Sequence, residues 1–160
     1  MKIFITRHRG FTLVEIMIIA ALIALLATIT IPQMARSRVN ANEVAAVGNM
    51  RTLYKACLGY YGANIPHTYP NALTDLTLPI SDPPFISIPL ANAITANTAM
   101  QGYYYVYTLG ADNESFTIVA WPSSFGRTGA KNFFIMETGQ LTYTATNAEE
   151  PDASSPPAPY

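Results

Sequence analysis

The fold of this chain is decided by residues 10–32, which read GFTLVEIMIIAALIALLATITIP. From Phe11 to Ile31 the segment has 21 residues, and Glu15 is the only charged one. As a helix it would be about 32 Å long, which is enough to cross the hydrocarbon core of a bilayer. An ionised carboxylate costs about 2.5–3.5 kcal/mol near the centre of such a helix, so Glu15 requires a partner. The segment therefore predicts a membrane-spanning helix that carries a functional charge.

The residues before this helix, 1–10, form a short basic leader. Lys2, Arg7 and Arg9 have no acidic residue among them, and positive residues beside a membrane helix keep that end in the cytoplasm. We therefore expect a single pass with a cytoplasmic N-terminus and the rest of the chain beyond the membrane. An ordinary secretory signal peptide and a plain signal anchor are the alternatives. Neither explains Glu15, and no clean A-x-A cleavage pattern follows the apolar run.

The start of the apolar run resembles the prepilin cleavage and methylation motif of type IV pilins and type II secretion pseudopilins. The residues that carry the resemblance are 10–15, GFTLVE, preceded by the basic leader and followed by an uninterrupted apolar helix. The resemblance implies that a prepilin peptidase cuts after Gly10 on the cytoplasmic face and methylates the new amino group of Phe11. It is strong over about the first 35 residues. Beyond them it covers only the general architecture.

Cleavage at this position would create a partner for Glu15. The new α-amino group of Phe11 is a cation four residues before the Glu15 carboxylate. Within one helix the two charges would partly neutralise each other. Between subunits, the amine of an incoming protomer would meet Glu15 of one already in place, and each would satisfy a buried charge that is otherwise unpaired. Phe11 and Glu15 are therefore predicted to be the residues that control assembly.

Residues 32–62 are predicted to continue the same helix into the soluble domain. Apolar residues recur there at three- and four-residue spacing, as expected for a helix that packs on a sheet: Val47, Met50, Tyr54, Cys57, Leu58 and Tyr61. Pro32 removes one hydrogen-bond donor and clashes one turn back, so it is the predicted site of a kink. Arg36 and Arg38 would either meet phospholipid headgroups or simply be solvated.

The rest of the chain predicts a loop, a sheet and a tail. Residues 63–101 contain six prolines and form a connecting loop, with its best helical turn near residues 71–76. Residues 102–146 hold four candidate strands rich in aromatic and β-branched residues: Tyr103–Thr108, Ser115–Trp121, Asn132–Met136 and Gln140–Thr144. Residues 147–160 have the composition of a disordered tail. The expected fold is α+β and pilin-like, with a long N-terminal helix, membrane-spanning in its first half, packed on an antiparallel sheet of about four strands.

Composition narrows the class of function. The 160 residues suit one soluble domain plus the helix. The formal net charge is −1, and removal of Lys2, Arg7 and Arg9 takes it to about −4 before the new amine is counted, which argues against a nucleic-acid partner. Cys57 is the only cysteine, so the intramolecular disulfide that closes the C-terminal region of many type IV pilins is excluded.

Catalysis and cofactors find little support in the sequence. No metalloprotease, C-x-x-C, phosphate-loop or G-x-S-x-G motif is present, so an enzyme is not expected. The resemblance raises calcium, because major pseudopilins bind it in a C-terminal loop. Asp112 and Glu114 are weak candidate ligands, but Ca²⁺ prefers six to eight oxygen ligands and acids are few in this region. No cofactor is therefore expected.

The sequence thus predicts a structural subunit of a type IV pilus or of a type II secretion pseudopilus. The expected partners are prepilin peptidase, copies of itself and other pilins in a filament, the inner-membrane assembly machinery and membrane lipid. The expected location is the bacterial inner membrane, followed by a periplasmic or cell-surface filament. A permanently membrane-anchored periplasmic domain that binds a ligand through its proline-rich loop is the alternative from another class of function.

Overall fold

A computed structural model of the chain describes residues 10–146 and 151–159. The chain divides into two compact units, with the boundary between Arg36 and Ser37. One long helix, α1, crosses that boundary. The helices and strands are α1 Leu13–Ala63, α2 Ile88–Ala91, β1 Tyr103–Leu109, β2 Phe116–Pro122, β3 Asn132–Met136 and β4 Leu141–Thr144, with 3₁₀ turns at Leu73–Leu76 and Ala96–Thr98.

The first unit consists, where it is described, of the apolar beginning of α1. Its large hydrophobic side chains are exposed; Leu13, for example, is 75% exposed and Leu26 64%. The most apolar window of α1 is long and hydrophobic enough to span a membrane, and none of it is buried within the chain. Exposed apolar surface on this scale marks contact with lipid or with another protein.

The second unit packs α1 against a sheet. The buried face of the helix has the three- and four-residue spacing that its sequence predicts, although Leu58 of the predicted stripe is exposed. The buried face consists of Glu43, Ala46, Val47, Met50, Leu53, Ala56 and Cys57. The sheet is an antiparallel meander in the order β1-β2-β3-β4. Alternate strand residues, among them Tyr103, Ile118 and Phe133, are fully buried in the same core as the helix face. The predicted α+β fold is therefore confirmed.

The four strands begin and end within one residue of their predicted limits. The helical turn expected near residues 71–76 is a 3₁₀ helix over Leu73–Leu76. The prolines of this region argue against a long helix but allow short ones, and the sequence did not locate α2 or the turn at Ala96–Thr98. Pro89 instead lies in the first turn of α2, where its missing N–H has no intrahelical partner to lose.

The tail differs from its predicted disorder over residues 151–159. Tyr143 N donates to Pro156 O at 3.0 Å, and Ala158 N donates to Leu141 O at 3.0 Å. The Thr142 hydroxyl donates to Asp152 O at 2.6 Å. The edge strand β4 presents unpaired backbone groups, and a proline carbonyl can accept a hydrogen bond from them. A proline-rich composition therefore did not prevent the tail from being ordered. Residues 147–150 and 160 lie outside the described residues.

Candidate assembly site

The charge that dominates the sequence lies in a capping box at the start of α1. Thr12 precedes the first helical residue, Leu13. The Thr12 N–H and hydroxyl both donate to Glu15 Oε2, each at 2.8 Å, and the Glu15 N–H lies 3.2 Å from the Thr12 hydroxyl oxygen. Each side chain thereby satisfies a backbone donor that the helix leaves unpaired at its first turn. Glu15 is therefore the residue that closes the N-terminus of its own helix.

The pairing of Phe11 with Glu15 stays a prediction, because the Gly10–Phe11 peptide bond of this chain is intact and Phe11 has no free amine. Phe11 is 80% exposed. Both bonds from Thr12 go to one carboxylate oxygen, and none of the described residues donates to the other, Oε1. The sequence analysis missed the capping box, although the spacing Thr-x-x-Glu before an apolar run is its signature. One oxygen of Glu15 remains accessible to a second donor.

Pro32 lies inside α1, and its kink stays a prediction. Because proline has no N–H, the carbonyl of Thr28 loses its usual donor one turn later. The two hydroxyls nearby bond back to the helix: Thr28 Oγ1 donates to Leu25 O at 2.7 Å and Thr30 Oγ1 to Leu26 O at 2.9 Å. Such back-bonding satisfies hydroxyl groups in apolar surroundings and often bends a helix.

A second glutamate of α1, Glu43, was missed by the sequence analysis. It is 2% exposed. Its Oε2 lies 3.1 Å from Lys131 Nζ, and its Oε1 accepts from Ala130 N at 2.9 Å. One residue earlier, Asn42 Nδ2 donates to Thr128 O at 2.9 Å. These contacts attach the loop between β2 and β3 to the helix. Glu43 lies in register with the apolar stripe of α1, and a lone acid in such a stripe is the signal that was available.

The calcium candidates lie in the turn between β1 and β2. Asp112 Oδ1 accepts from Glu114 N and from Ser115 Oγ, each at 3.0 Å. The bond from the Glu114 backbone, followed by that from Ser115, lowers the pKa of Asp112. The carboxylate thus closes its own turn. Among residues 10–146 and 151–159, no group of three or more His, Cys, Asp or Glu side chains is arranged to hold a metal ion, and the calcium hypothesis stays untested.

Cys57 and His67 both lie in packing contacts within the chain. Cys57 is fully buried, and burial raises the pKa of its thiol to about 12, which keeps it protonated. His67 Nδ1 lies 2.9 Å from Tyr61 O, and the two rings stack with centroids 5.4 Å apart. These contacts fit packing at the end of α1.

Comparison with known proteins identifies the family. Residues 5–31 match the prokaryotic N-terminal methylation motif. Over 138 residues the chain is 32% identical to a type IV major fimbrial protein, FimA, of Dichelobacter nodosus, and the alignment covers 77% of this chain and 74% of that protein. This chain belongs to the type IV pilin family.

Two further relatives match the pilin over shorter stretches. The type IV major pilin protein PilA of Myxococcus xanthus is 38% identical over 58 residues, and the alignment spans 36% of this chain and 26% of that protein. A second FimA protein of Dichelobacter nodosus is 46% identical over 55 residues, which is 32% of this chain and 35% of that protein. No solved structure matches the chain significantly. Type IV pilins are structural subunits, so this pilin is not an enzyme.

Proposed function

We propose that this pilin is made as an inner-membrane prepilin with a cytoplasmic N-terminus, cut after Gly10, methylated on Phe11 and assembled into a surface pilus. The observation that carries the proposal is the 138-residue alignment with a major fimbrial protein. The N-terminal motif alone is shared by pilins and secretion pseudopilins, whereas this alignment extends far into the soluble domain. It therefore favours a pilus over a type II secretion pseudopilus.

The capping box would allow the Glu15 carboxylate to be hydrogen-bonded both in the monomer and in the filament. In the uncut chain, Thr12 holds Oε2 of Glu15, so the charge has donors before any other subunit arrives. Cleavage creates a cationic amine on Phe11, and methylation of that amine leaves it cationic. The amine of an incoming subunit would then donate to Oε1 while Thr12 keeps Oε2. A charge-assisted hydrogen bond in a water-poor setting is strong enough to fix the register of the two subunits.

The exposed apolar side chains of α1 would contact lipid first and neighbouring subunits later. Apart from the Thr28 carbonyl, which loses its donor to Pro32, its backbone carbonyls accept hydrogen bonds within the helix, as a membrane span requires. Its side chains from Leu13 onward, more than half exposed in most cases, would contact lipid before assembly. In the filament they would contact the same segment of neighbouring subunits. The apolar area buried between subunits would then supply the main driving force for assembly.

The mass of the mature protein tests processing. Loss of residues 1–10 together with the gain of one methyl group is expected. An intact leader would instead support the membrane-anchored binding domain, which needs no cleavage. A shortened chain without the methyl group would retain the cleavage step and remove the methylation step from the proposal.

Electron microscopy of cells that express Glu15→Ala tests the assembly role. We expect normal processing and membrane insertion but no surface filaments, because the incoming amine finds no acceptor. Glu15→Asp is the matched control, since it keeps the charge and should retain partial assembly. Normal filaments from Glu15→Ala would refute the role of Glu15. A wild-type chain that supports protein secretion without forming surface filaments would indicate a pseudopilin.

A further inference from the structure

An open cavity of about 310 Å³ lies where the end of α1 meets the connecting loop. Its walls come from residues 60–64 at the end of the helix and residues 80–85 of the loop, and both segments belong to the second unit. A volume of about 300 Å³ lies at the lower limit of the cavities that hold small molecules. The side chains that give this cavity its chemistry are Tyr60, Asn64, Ile80, Asp82, Pro83 and Phe85.

The loop wall of the cavity is fixed at both of its ends. At one end, the Ser81 hydroxyl donates to Asp75 O at 2.6 Å. At the other end, Phe85 N donates to Leu76 O at 2.9 Å. Asp82 therefore lies on a short bridge between two anchored residues. Such preorganisation lowers the entropy that is lost when a ligand binds.

An aromatic pair forms much of the apolar wall. The Tyr60 and Phe85 rings meet edge to face, with their centroids 6.2 Å apart and their planes at 67°. A Cβ on Gly59 would lie 3.0 Å from Cε1 of Phe85, so the absence of a side chain at Gly59 lets this ring lie directly against the helix. Ile80 and Phe85 are both exposed. A short alkyl chain that covered them would remove apolar surface from water.

Three polar side chains of the cavity are available to a ligand. Within the part of the chain that the structure describes, the Tyr60 hydroxyl, the Asn64 amide and the Asp82 carboxylate make no hydrogen bond or ion pair. Asp82 is the only charged residue that lines the cavity. Lys55, the preceding cation of α1, lies five residues before Tyr60, which places it about 140° away around the helix. The cavity thus presents three hydrogen-bond acceptors and one negative charge beside an apolar wall.

We propose that this cavity binds the ammonium group of a small primary amine. A primary ammonium has one positive charge, three N–H donors and no acceptor, so it matches the three acceptors and the single carboxylate. Asp82 forms the charge-assisted hydrogen bond, and the rings of Tyr60 and Phe85 add cation–π attraction. The alkyl chain of the amine lies on Ile80. The site uses no residue of the first unit, so it does not depend on filament assembly.

Titration of the full-length chain in a neutral maltoside detergent, followed by amide NMR shifts, tests the site. n-Butylammonium should give saturable shifts confined to residues 59–64 and 80–86. The dissociation constant should be on the order of 1 mM, as expected for so small a ligand. Butan-1-ol lacks the charge, and n-butyltrimethylammonium keeps the charge but has no N–H donor. At matched ionic strength, both should bind roughly ten-fold more weakly or worse.

Substitutions test the assigned residues. Asp82→Asn removes the charge at nearly constant shape and should weaken n-butylammonium binding by roughly ten-fold or more. Tyr60→Phe keeps the ring, removes one acceptor and should weaken binding about three-fold. Asp112→Asn removes an exposed carboxylate from the turn between β1 and β2, so it changes the net charge equally and should bind like the wild type. Unchanged shifts of the remaining amides show that each variant is folded.

Equal affinities for butan-1-ol and n-butylammonium, or wild-type affinity of Asp82→Asn, would overturn the site. Equal affinity for n-butyltrimethylammonium would overturn the assignment to a primary amine. Nα-acetyl-lysine N-methylamide carries the same butylammonium group on a peptide backbone. Tighter binding of this probe would overturn the assignment to a free amine and indicate a lysine side chain of a protein. None of these outcomes affects the proposed function, which the mass and microscopy experiments test.

Discussion

The two glutamates of α1 occupy opposite environments within one helix. Glu15 lies in the apolar first half, is exposed, and bonds only to Thr12, three residues away. Glu43 lies in the second half, is 2% exposed, and bonds to Lys131 and Ala130, nearly ninety residues away in sequence. One carboxylate is satisfied locally and retains an accessible oxygen. The other is satisfied by tertiary structure and is closed off from solvent.

This difference separates folding from assembly along a single helix. A buried charge must have its partners within the folded chain, because a missing partner costs several kcal/mol. Glu15, in contrast, is exposed in an apolar segment, and its second carboxylate oxygen stays accessible to a donor from outside the chain. The second half of α1 is therefore built to hold the domain together. The first half leaves its charge and its apolar side chains exposed, as the proposed assembly role requires.

The largest expected effect comes from Glu43→Ala. The substitution leaves Ala130 N without its acceptor and Lys131 without its anion, and Lys131 is 25% exposed, which softens the loss. We expect the free energy of unfolding to fall by roughly 2–4 kcal/mol. Urea unfolding of the full-length chain in detergent, followed by tyrosine and tryptophan fluorescence, measures it. Glu15→Ala should leave the same transition unchanged.

Removing both charges of the Glu43–Lys131 ion pair shows whether stability depends on the pair itself or on filling the space that it occupies. Glu43→Met combined with Lys131→Met replaces the ion pair by apolar side chains of similar size. Because buried ion pairs often contribute little beyond apolar replacements, the double variant should recover most of the stability lost in Glu43→Ala. A double variant as unstable as the single one would contradict this view, and the Ala130 N–H would then be the essential contact.

The second half of α1 also buries Cys57, and this burial makes the free energy of unfolding depend on pH. Burial raises its pKa from 9.0 to about 12, so the folded chain holds the thiol proton more tightly than the unfolded chain. The associated stability is complete below pH 9 and is lost as the pH rises toward 12. At pH 10.5 linkage gives a loss of about 2 kcal/mol. Unfolding transitions at pH 8 and 10.5 measure it.

A matched variant isolates the contribution of the thiol. Cys57→Ala should show a shallower fall between pH 8 and 10.5, although it starts from a lower stability because it leaves a small cavity. The fall that remains should come partly from Tyr105, whose pKa burial raises to about 12. An equally steep fall in both proteins would show that Cys57 does not carry the effect.

Most of the fold could be predicted because its signals are local. The apolar run, the stripe through Met50 and Cys57, and the aromatic strands each specify one element and its buried face. Glu43 and its partner on the β2–β3 loop could not be paired from sequence, since nothing local connects residues 43 and 131. Thr12 could have been recognised from its spacing. The spacing Thr-x-x-Glu before an apolar run is the local signature of its capping box.

Composition predicted a disordered C-terminal tail, whereas residues 151–159 form hydrogen bonds to β4. Removing the tail tests how much these bonds stabilise the fold. A chain that ends at Thr146 lacks the segment that bonds to Leu141 and Tyr143 and covers the edge of β4. We expect the free energy of unfolding to fall by about 1–2 kcal/mol, the sum of a few modest hydrogen bonds. Thr142→Val removes only the bond to Asp152 O and should cost less. Unchanged stability of the shortened chain would mean that the tail contacts contribute nothing.

The smallest expected effect concerns the local partner of Glu15. Thr12→Val removes the hydroxyl that donates to the Glu15 carboxylate and accepts from the Glu15 N–H, so the first turn of α1 should lose about 1 kcal/mol. Hydrogen exchange of the first-turn amides in detergent should then be roughly five-fold faster, while the unfolding transition of the soluble domain stays unchanged. Thr12→Ser retains the hydroxyl and should exchange like the wild type. If Thr12→Val pili also form at the wild-type rate, the capping box organises the helix alone, and the incoming amine suffices to orient Glu15.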